Sequence, residues 1–122
     1  MRNGCDCLSG QLLSRGDVWY VEFPQSSHHE QTGRRPAIVV ADFPDIGMAI
    51  VIPVTSSLAS SKFPFAHPLS PSKENGLKEE STALVFQIRA VDKNRFGEKL
   101  GVIGPEELKV IKALLADMFK IR

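Results

Sequence analysis

The sequence predicts a mainly β domain that ends in a single helix. Three observations carry that expectation. Short apolar runs rich in β-branched and aromatic residues recur between Asp17 and Ile103, bounded by Pro, Gly, Ser or Asp. An apolar stripe at helical spacing appears only after Pro105. The chain has 122 residues, 43% hydrophobic and 24% charged, the composition of one globular domain with one core.

Residues 1–14 show no period and are expected to form a leader without fixed structure, so the domain spans residues 15–122. Asp17 to Phe23 reads as the first strand, because Trp19, Val21 and Phe23 alternate onto one face and Pro24 stops the run. Gln25 to Arg35 is polar and reads as a long loop. Pro36 to Ala41 and Met48 to Val54 are continuous apolar runs, too short and too β-branched for helices, and read as neighbouring buried strands. Pro53 lacks a donor, so that end of its strand is expected at an edge or a bulge.

Thr55 to Ser61 is a Ser-rich loop, and Phe63 to Leu69 an irregular strand interrupted by Pro64 and Pro68. Ser70 to Ser81 has loop chemistry around Asn75-Gly76. Thr82 to Ile88 reads as a strand, Asp92 to Gly97 as a turn or short helical piece, and Leu100 to Ile103 as a last strand. A helix is expected from Pro105 to about Lys120. Proline suits its first position, Glu106 and Glu107 suit its positive end, and Leu108, Ile111, Leu115 and Met118 form the stripe. It spans about 24 Å, enough to cover one face of a small sheet. Short strands followed by one helix fit a small SH3-like barrel with the helix packed against it.

Net charge is +1, which excludes a polycation that binds nucleic acid by bulk charge, though not a local basic groove. No apolar run approaches the ~18 residues of a membrane span, and the N-terminus lacks the apolar stretch of a secretory signal. A cytoplasmic protein without a membrane role is expected. Cys5 and Cys7 stand one residue apart with no further cysteine, which favours free thiols over a metal site. Phosphate-binding glycine loops, HExxH and Gly-x-Ser-x-Gly are all missing. Glu107-Leu108-Lys109 has a spacing used by some metal-dependent nucleases, but on the expected helix it reads as surface. His28, His29 and His67 could supply acid–base groups; exposed loop histidines are the simpler reading.

Arg34 and Arg35 precede Pro36, which disfavours helical backbone at Arg35 and holds it extended at a strand mouth. Thr55, Ser56 and Ser57 lie at the end of the other central run. Hydroxyls beside an arginine suit a phosphate.

Taken in order, these pieces resemble the MazF/PemK family of toxin endoribonucleases. The resemblance runs through Arg15-Gly16-Asp17-Val18-Trp19-Tyr20, the block from Glu30 to Val40, Pro53-Val54-Thr55-Ser56, and Phe63-Pro64-Phe65. It continues in Gln87-Ile88-Arg89-Ala90-Val91-Asp92-Lys93 and the helix start Pro105-Glu106-Glu107-Leu108. It covers about Arg15 to Ile121, and leaves residues 1–14 unmatched.

The resemblance implies a homodimer of CcdB/MazF-type barrels that cleaves single-stranded RNA, chiefly mRNA, at a short sequence and so inhibits translation and growth. It implies no metal and no cofactor. It also implies a cognate antitoxin whose acidic disordered segment occupies the RNA groove. The family's catalytic arginine and threonine map to Arg35 and Thr55. Gln31, Gln87 and Arg89 map to family positions expected near RNA, and Arg34, Ser56 and Ser57 stand beside the catalytic positions as further RNA contacts. Phe86 departs from the family, in which many members carry an acidic residue there. Base choice is expected from the loops Gln25–Arg35 and Ser56–Lys62. Two rival readings are a gyrase-poisoning toxin of the CcdB type and a non-catalytic RNA- or peptide-binding barrel. The Arg35/Thr55 pair and the Gln-Ile-Arg block favour the nuclease.

Overall fold

The structure, a computed structural model, describes residues 13–24, 33–57 and 62–121. Among the described residues, seven antiparallel strands precede one α-helix: β1 (Asp17–Phe23), β2 (Gly33–Phe43), β3 (Met48–Thr55), β4 (Ala66–Leu69), β5 (Ser81–Leu84), β6 (Arg89–Asp92), β7 (Phe96–Val102) and α1 (Pro105–Phe119). The strand order is β4-β5-β3-β2-β1-β7, with β6 also paired to β3. The expected architecture of a mainly β sheet with a C-terminal helix is therefore present. The ladder ends at β4 and β7, so the barrel does not close by hydrogen bonding.

Strand β3 organises the sheet. Along one side it pairs with β2, with Ala37 opposite Pro53 and Ile38 opposite Ile52. On the other side it pairs with β6 over Met48–Val51 and with β5 at Val54 and Thr55. Pro53 falls in the gap between β6 and β5, where no ladder partner requires the N–H it lacks.

Pleating divides the apolar residues between two faces. Trp19, Val21 and Phe23 join Ala37, Val39, Ala49, Val51, Val91 and Phe96 in one cluster. Val18, Ile38, Ile52 and Val54 join Leu69, Ala83, Val85 and Ile103 in the other. Helix α1 covers this second cluster with Ile111, which is 1% exposed, and with Leu108, Leu114 and Leu115. Burial of one such side chain contributes about 1.5–3 kcal/mol. Gly104 caps the helix start, Pro105 opens it, and Lys120 ends it in the left-handed region with φ +58°. Its N–H donates to the Ala116 and Asp117 carbonyls.

Several boundaries differ from expectation. Strand β2 begins at Gly33, so Arg34 and Arg35 belong to the sheet and not to the preceding loop. The run from Thr82 to Ile88 is not one strand. It breaks after Leu84 into a 3-10 turn over Val85–Gln87, and pairing moves from β5 to β6 along β3. Strand β7 starts at Phe96, four residues earlier than Leu100, because β1 offers it a partner down to Val21. Leu13, within the segment read as leader, is buried in the first cluster, and its N–H donates to Asp42 Oδ2 at 3.2 Å. The same Asp42 carboxylate pairs with the buried Lys93 ammonium, tying the β6–β7 connection to the far end of β2.

Candidate functional site

Two strand ends define the site. Ala37 and Pro53 are ladder partners, and Arg35 and Thr55 lie two residues beyond them on β2 and β3. An even step along a strand returns to the same face, so both side chains emerge from the same side of the sheet at the same end. Thr55 is 7% exposed and paired with Thr82 of β5. Its Oγ1 accepts a hydrogen bond from the Ser57 N–H at 3.2 Å. That bond turns the chain away from the sheet and leaves the hydroxyl hydrogen as a donor. Arg35 sits opposite Val21 and is half-buried. Burial lowers its pKa from the ordinary arginine value, because a desolvated cation is disfavoured.

Arg34 takes the opposite face. It pairs with Glu22, and its guanidinium lies over the Tyr20 ring with Cζ 4.1 Å from the centroid. The sequence places both arginines at the end of the Gln25–Arg35 loop. Strand geometry separates them, since β2 already runs through both. They meet again at the rim of a cleft of about 230 Å³, lined by Tyr20, Arg34, Arg35, Pro36, Val54, Thr55, Ser56, Leu77, Lys78, Glu79 and Leu100, among others. Arg34, Arg35 and Lys78 bring three cations to this cleft against one carboxylate, Glu79, so a near-neutral chain concentrates positive charge locally.

The cleft's far wall is the loop of residues 70–80, which the sequence reading treated only as polar connection. Its keystone is Asn75, 6% exposed. The Asn75 Oδ1 accepts from the Ser72 N–H at 3.0 Å and the Leu77 N–H at 2.9 Å, while Nδ2 donates to the Ser70 carbonyl at 2.9 Å. Ser72 Oγ accepts the Asn75 N–H in return. Gly76 holds φ +70°, and a Cβ there would collide with the Leu100 carbonyl. The loop thus lies directly on β7, where the Val102 N–H also donates to the Glu74 carbonyl at 2.7 Å. The available signal was Ser72-x-x-Asn75-Gly76, a side-chain-closed turn.

The other expected site residues are dispersed. Arg89 faces Val51 across the ladder and sits with Cζ 5.3 Å from the Phe23 ring centroid. Gln87 ends the 3-10 turn and is half-buried. Neither lines the Arg35–Thr55 cleft. Ser56 lines it, whereas Ser57 contributes through its backbone bond to Thr55. Phe86 stacks edge-on against Phe63, with centroids 5.5 Å apart. Gln31, His28, His29, Cys5 and Cys7 lie outside the described residues. His67 contacts Glu107, which ties β4 to α1 and gives both residues a structural partner. Among the described residues, no three His, Cys, Asp or Glu side chains are grouped to hold a metal ion. No described helix is long and apolar enough to cross a membrane.

An arginine and a hydroxyl beside a basic cleft on an open β sheet define a class of small anion-binding β domains, suited to phosphodiesters. The comparisons narrow that class. Residues 14–119 match the model of the PemK-like, MazF-like toxins of type II toxin–antitoxin systems. The chain belongs to that family. It is 34% identical over 110 residues to the endoribonuclease toxin MazF of Escherichia coli K12, covering 87% of this chain and 93% of the relative. It resembles the crystal structure of MazF from Deinococcus radiodurans with a TM-score of 0.72 and 25% identity, covering 88% of this chain and 96% of that one. A MazE–MazF structure from the same organism has the same fold, with a TM-score of 0.69 at 24% identity, covering 90% of this chain and 97% of that one.

Proposed function

We propose that this chain is an endoribonuclease toxin that cleaves single-stranded RNA without a metal, with Arg35 and Thr55 as its catalytic residues. The convergence of these two side chains at the ends of β2 and β3, on the rim of one basic cleft, carries the reading. Attack of a ribose 2′-OH on the adjacent phosphorus breaks the bond to the 5′-oxygen. The products are a 2′,3′-cyclic phosphate and a 5′-OH, and the proton lost by the nucleophile is matched by the one gained by the leaving oxygen.

Charge builds on the non-bridging oxygens as this happens. The half-buried Arg35 guanidinium directs two N–H donors at them in a partly water-excluded site, where such bonds act more strongly. Burial lowers its pKa, yet an arginine remains a cation at neutral pH, so its role is electrostatic. Thr55 orients the phosphate through its O–H, which remains a donor while Oγ1 accepts from the Ser57 N–H. Ser56 adds a second hydroxyl. Gln31, Gln87 and Arg89 contact RNA outside the cleft.

The working unit is a homodimer. Its partner is a cognate antitoxin with an acidic disordered segment, complementary to the cations of the cleft. The gyrase-poisoning alternative lacks a use for the Arg35–Thr55 pair, and the similar MazF of Escherichia coli K12 is an endoribonuclease toxin. The decisive experiment incubates purified protein with a long RNA in EDTA and maps new 5′-OH ends by sequencing. Defined ends that vanish in Arg35→Ala support the reading. Cleavage that needs added magnesium, or that survives Arg35→Ala, refutes it.

A further inference from the structure

An exposed arginine ordinarily samples many rotamers. Arg34 instead sits over Tyr20, with its Cζ 4.1 Å from the ring centroid. The two side chains share a face because Tyr20 pairs with Pro36 and Arg34 with Glu22. The ring therefore backs the guanidinium on one side, while the residue also lines the cleft. Gly97 beside it carries no side chain; an added Cβ would lie 3.5 Å from Tyr20 Cβ and 3.7 Å from Arg34 Nη2. Across the cleft, the Asn75-braced loop presents Leu77 and Lys78. Bases released from a single strand stack on arginine planes as well as on aromatic rings.

We propose that the Tyr20–Arg34 stack is the floor of a nucleobase subsite: one unstacked RNA base lies on the outer face of the Arg34 guanidinium, between it and the Leu77–Lys78 wall. This rests on the ribonuclease reading above. Arg34 and Arg35 leave opposite faces of β2 yet line the same cleft, so the base belongs to a nucleotide near the phosphate held by Arg35. Tyr20 is a positioning residue, since it acts through Arg34. The alternative use of Arg34, as a point charge on a phosphate, needs no plane and is served equally by lysine.

That contrast sets the test. A short RNA containing one mapped cut is made uncleavable by a 2′-O-methyl group at the cut, and an abasic nucleotide is scanned along it. Binding is measured by fluorescence anisotropy. Wild type is expected to lose about tenfold in affinity when the abasic site falls next to the cut, within the range of one lost base stack. Arg34→Ala, Arg34→Lys and Tyr20→Leu should bind the intact RNA about tenfold more weakly and lose nothing further at that abasic position. Tyr20→Phe, which keeps the ring, should restore the abasic penalty. If Arg34→Lys keeps the full penalty, or no position is coupled to Arg34, the subsite is overturned while the nuclease reading stands. If wild type cuts no RNA, the nuclease reading falls. The same scan on a mixed-sequence 2′-O-methyl RNA then decides the subsite alone: coupling to Arg34 supports it, and no binding overturns it.

Discussion

Asn75→Ala tests whether the loop of residues 70–80 is a built wall or a passive connection. The substitution deletes three side-chain hydrogen bonds, from Ser72 N–H, from Leu77 N–H and to the Ser70 carbonyl. Each contributes about 0.5–1.5 kcal/mol net, and a buried partner left unpaired costs more than that. Leu77 is buried, so its amide cannot simply turn to water. Ser72 is exposed, and its amide can. The expected loss is therefore about 2–3 kcal/mol, less than three full desolvation penalties. For a chain of this length that corresponds to a fall in Tm of about 10 °C. Urea unfolding at neutral pH reads the free energy, and native-state hydrogen exchange reads residues 76–79. Asn75→Asp keeps both acceptor bonds but loses the donor to Ser70, so about half the loss is expected. A loss below about 0.5 kcal/mol for Asn75→Ala, with unchanged protection of the Leu77 amide, would refute the keystone role.

Four further outcomes follow from the same reasoning. Arg35→Ala should cut RNA cleavage at least about 100-fold, the usual cost of one oxyanion donor, with the circular dichroism spectrum unchanged; near-native turnover would remove Arg35 from the site. Lys93→Met should cost about 3–5 kcal/mol by leaving the Asp42 carboxylate without its cation beside the core, and adding Asp42→Leu should recover part of that loss in chemical denaturation. Gly76→Ala should destabilise by about 2 kcal/mol or more, because its φ of +70° and the Leu100 carbonyl both oppose a Cβ; thermal melting within one degree of wild type would contradict the packing of the loop on β7. RNA affinity should fall with salt, with a slope near 0.7 per phosphate contacted; a salt-independent affinity would refute a charge-lined groove.

The parts of the fold that local periodicity controls were legible in the sequence. Strand β1 and helix α1 are both set by residues within their own span, and their bounds agree with expectation within a residue. The breaks were not legible, because they depend on partners far away in the chain. Thr82 to Ile88 looks uniformly strand-like, yet β3 runs out of one partner at Val51 and takes up another at Val54, and the 3-10 turn at Val85–Gln87 bridges the two. Arg34 shows the same dependence. The sequence places it in a loop; once Gly33 pairs with Phe23, alternation sends it to Tyr20. The Arg35–Thr55 pair was found through family resemblance, and its physical basis is the Ala37–Pro53 register. Leu77 and Lys78 were missed because a loop's contribution to a cleft depends on what it packs against, here β7.

The alternation at the mouth of β2 explains how a chain with a net charge of +1 can present a basic site at all. Two adjacent arginines on one exposed loop would repel each other and share one solvent environment. On a strand they are forced onto opposite faces, so each meets a different surrounding: Arg35 is half-buried at the level of Val21, and Arg34 rests on an aromatic ring. One loses water and is suited to a developing charge; the other keeps exposure and offers a plane. Converting β2's first residues back to loop would abolish that division of roles without changing a single side chain. The division therefore belongs to the pairing of Gly33 with Phe23, and the placement of the two arginines depends on a strand beginning three residues earlier than its apolar run.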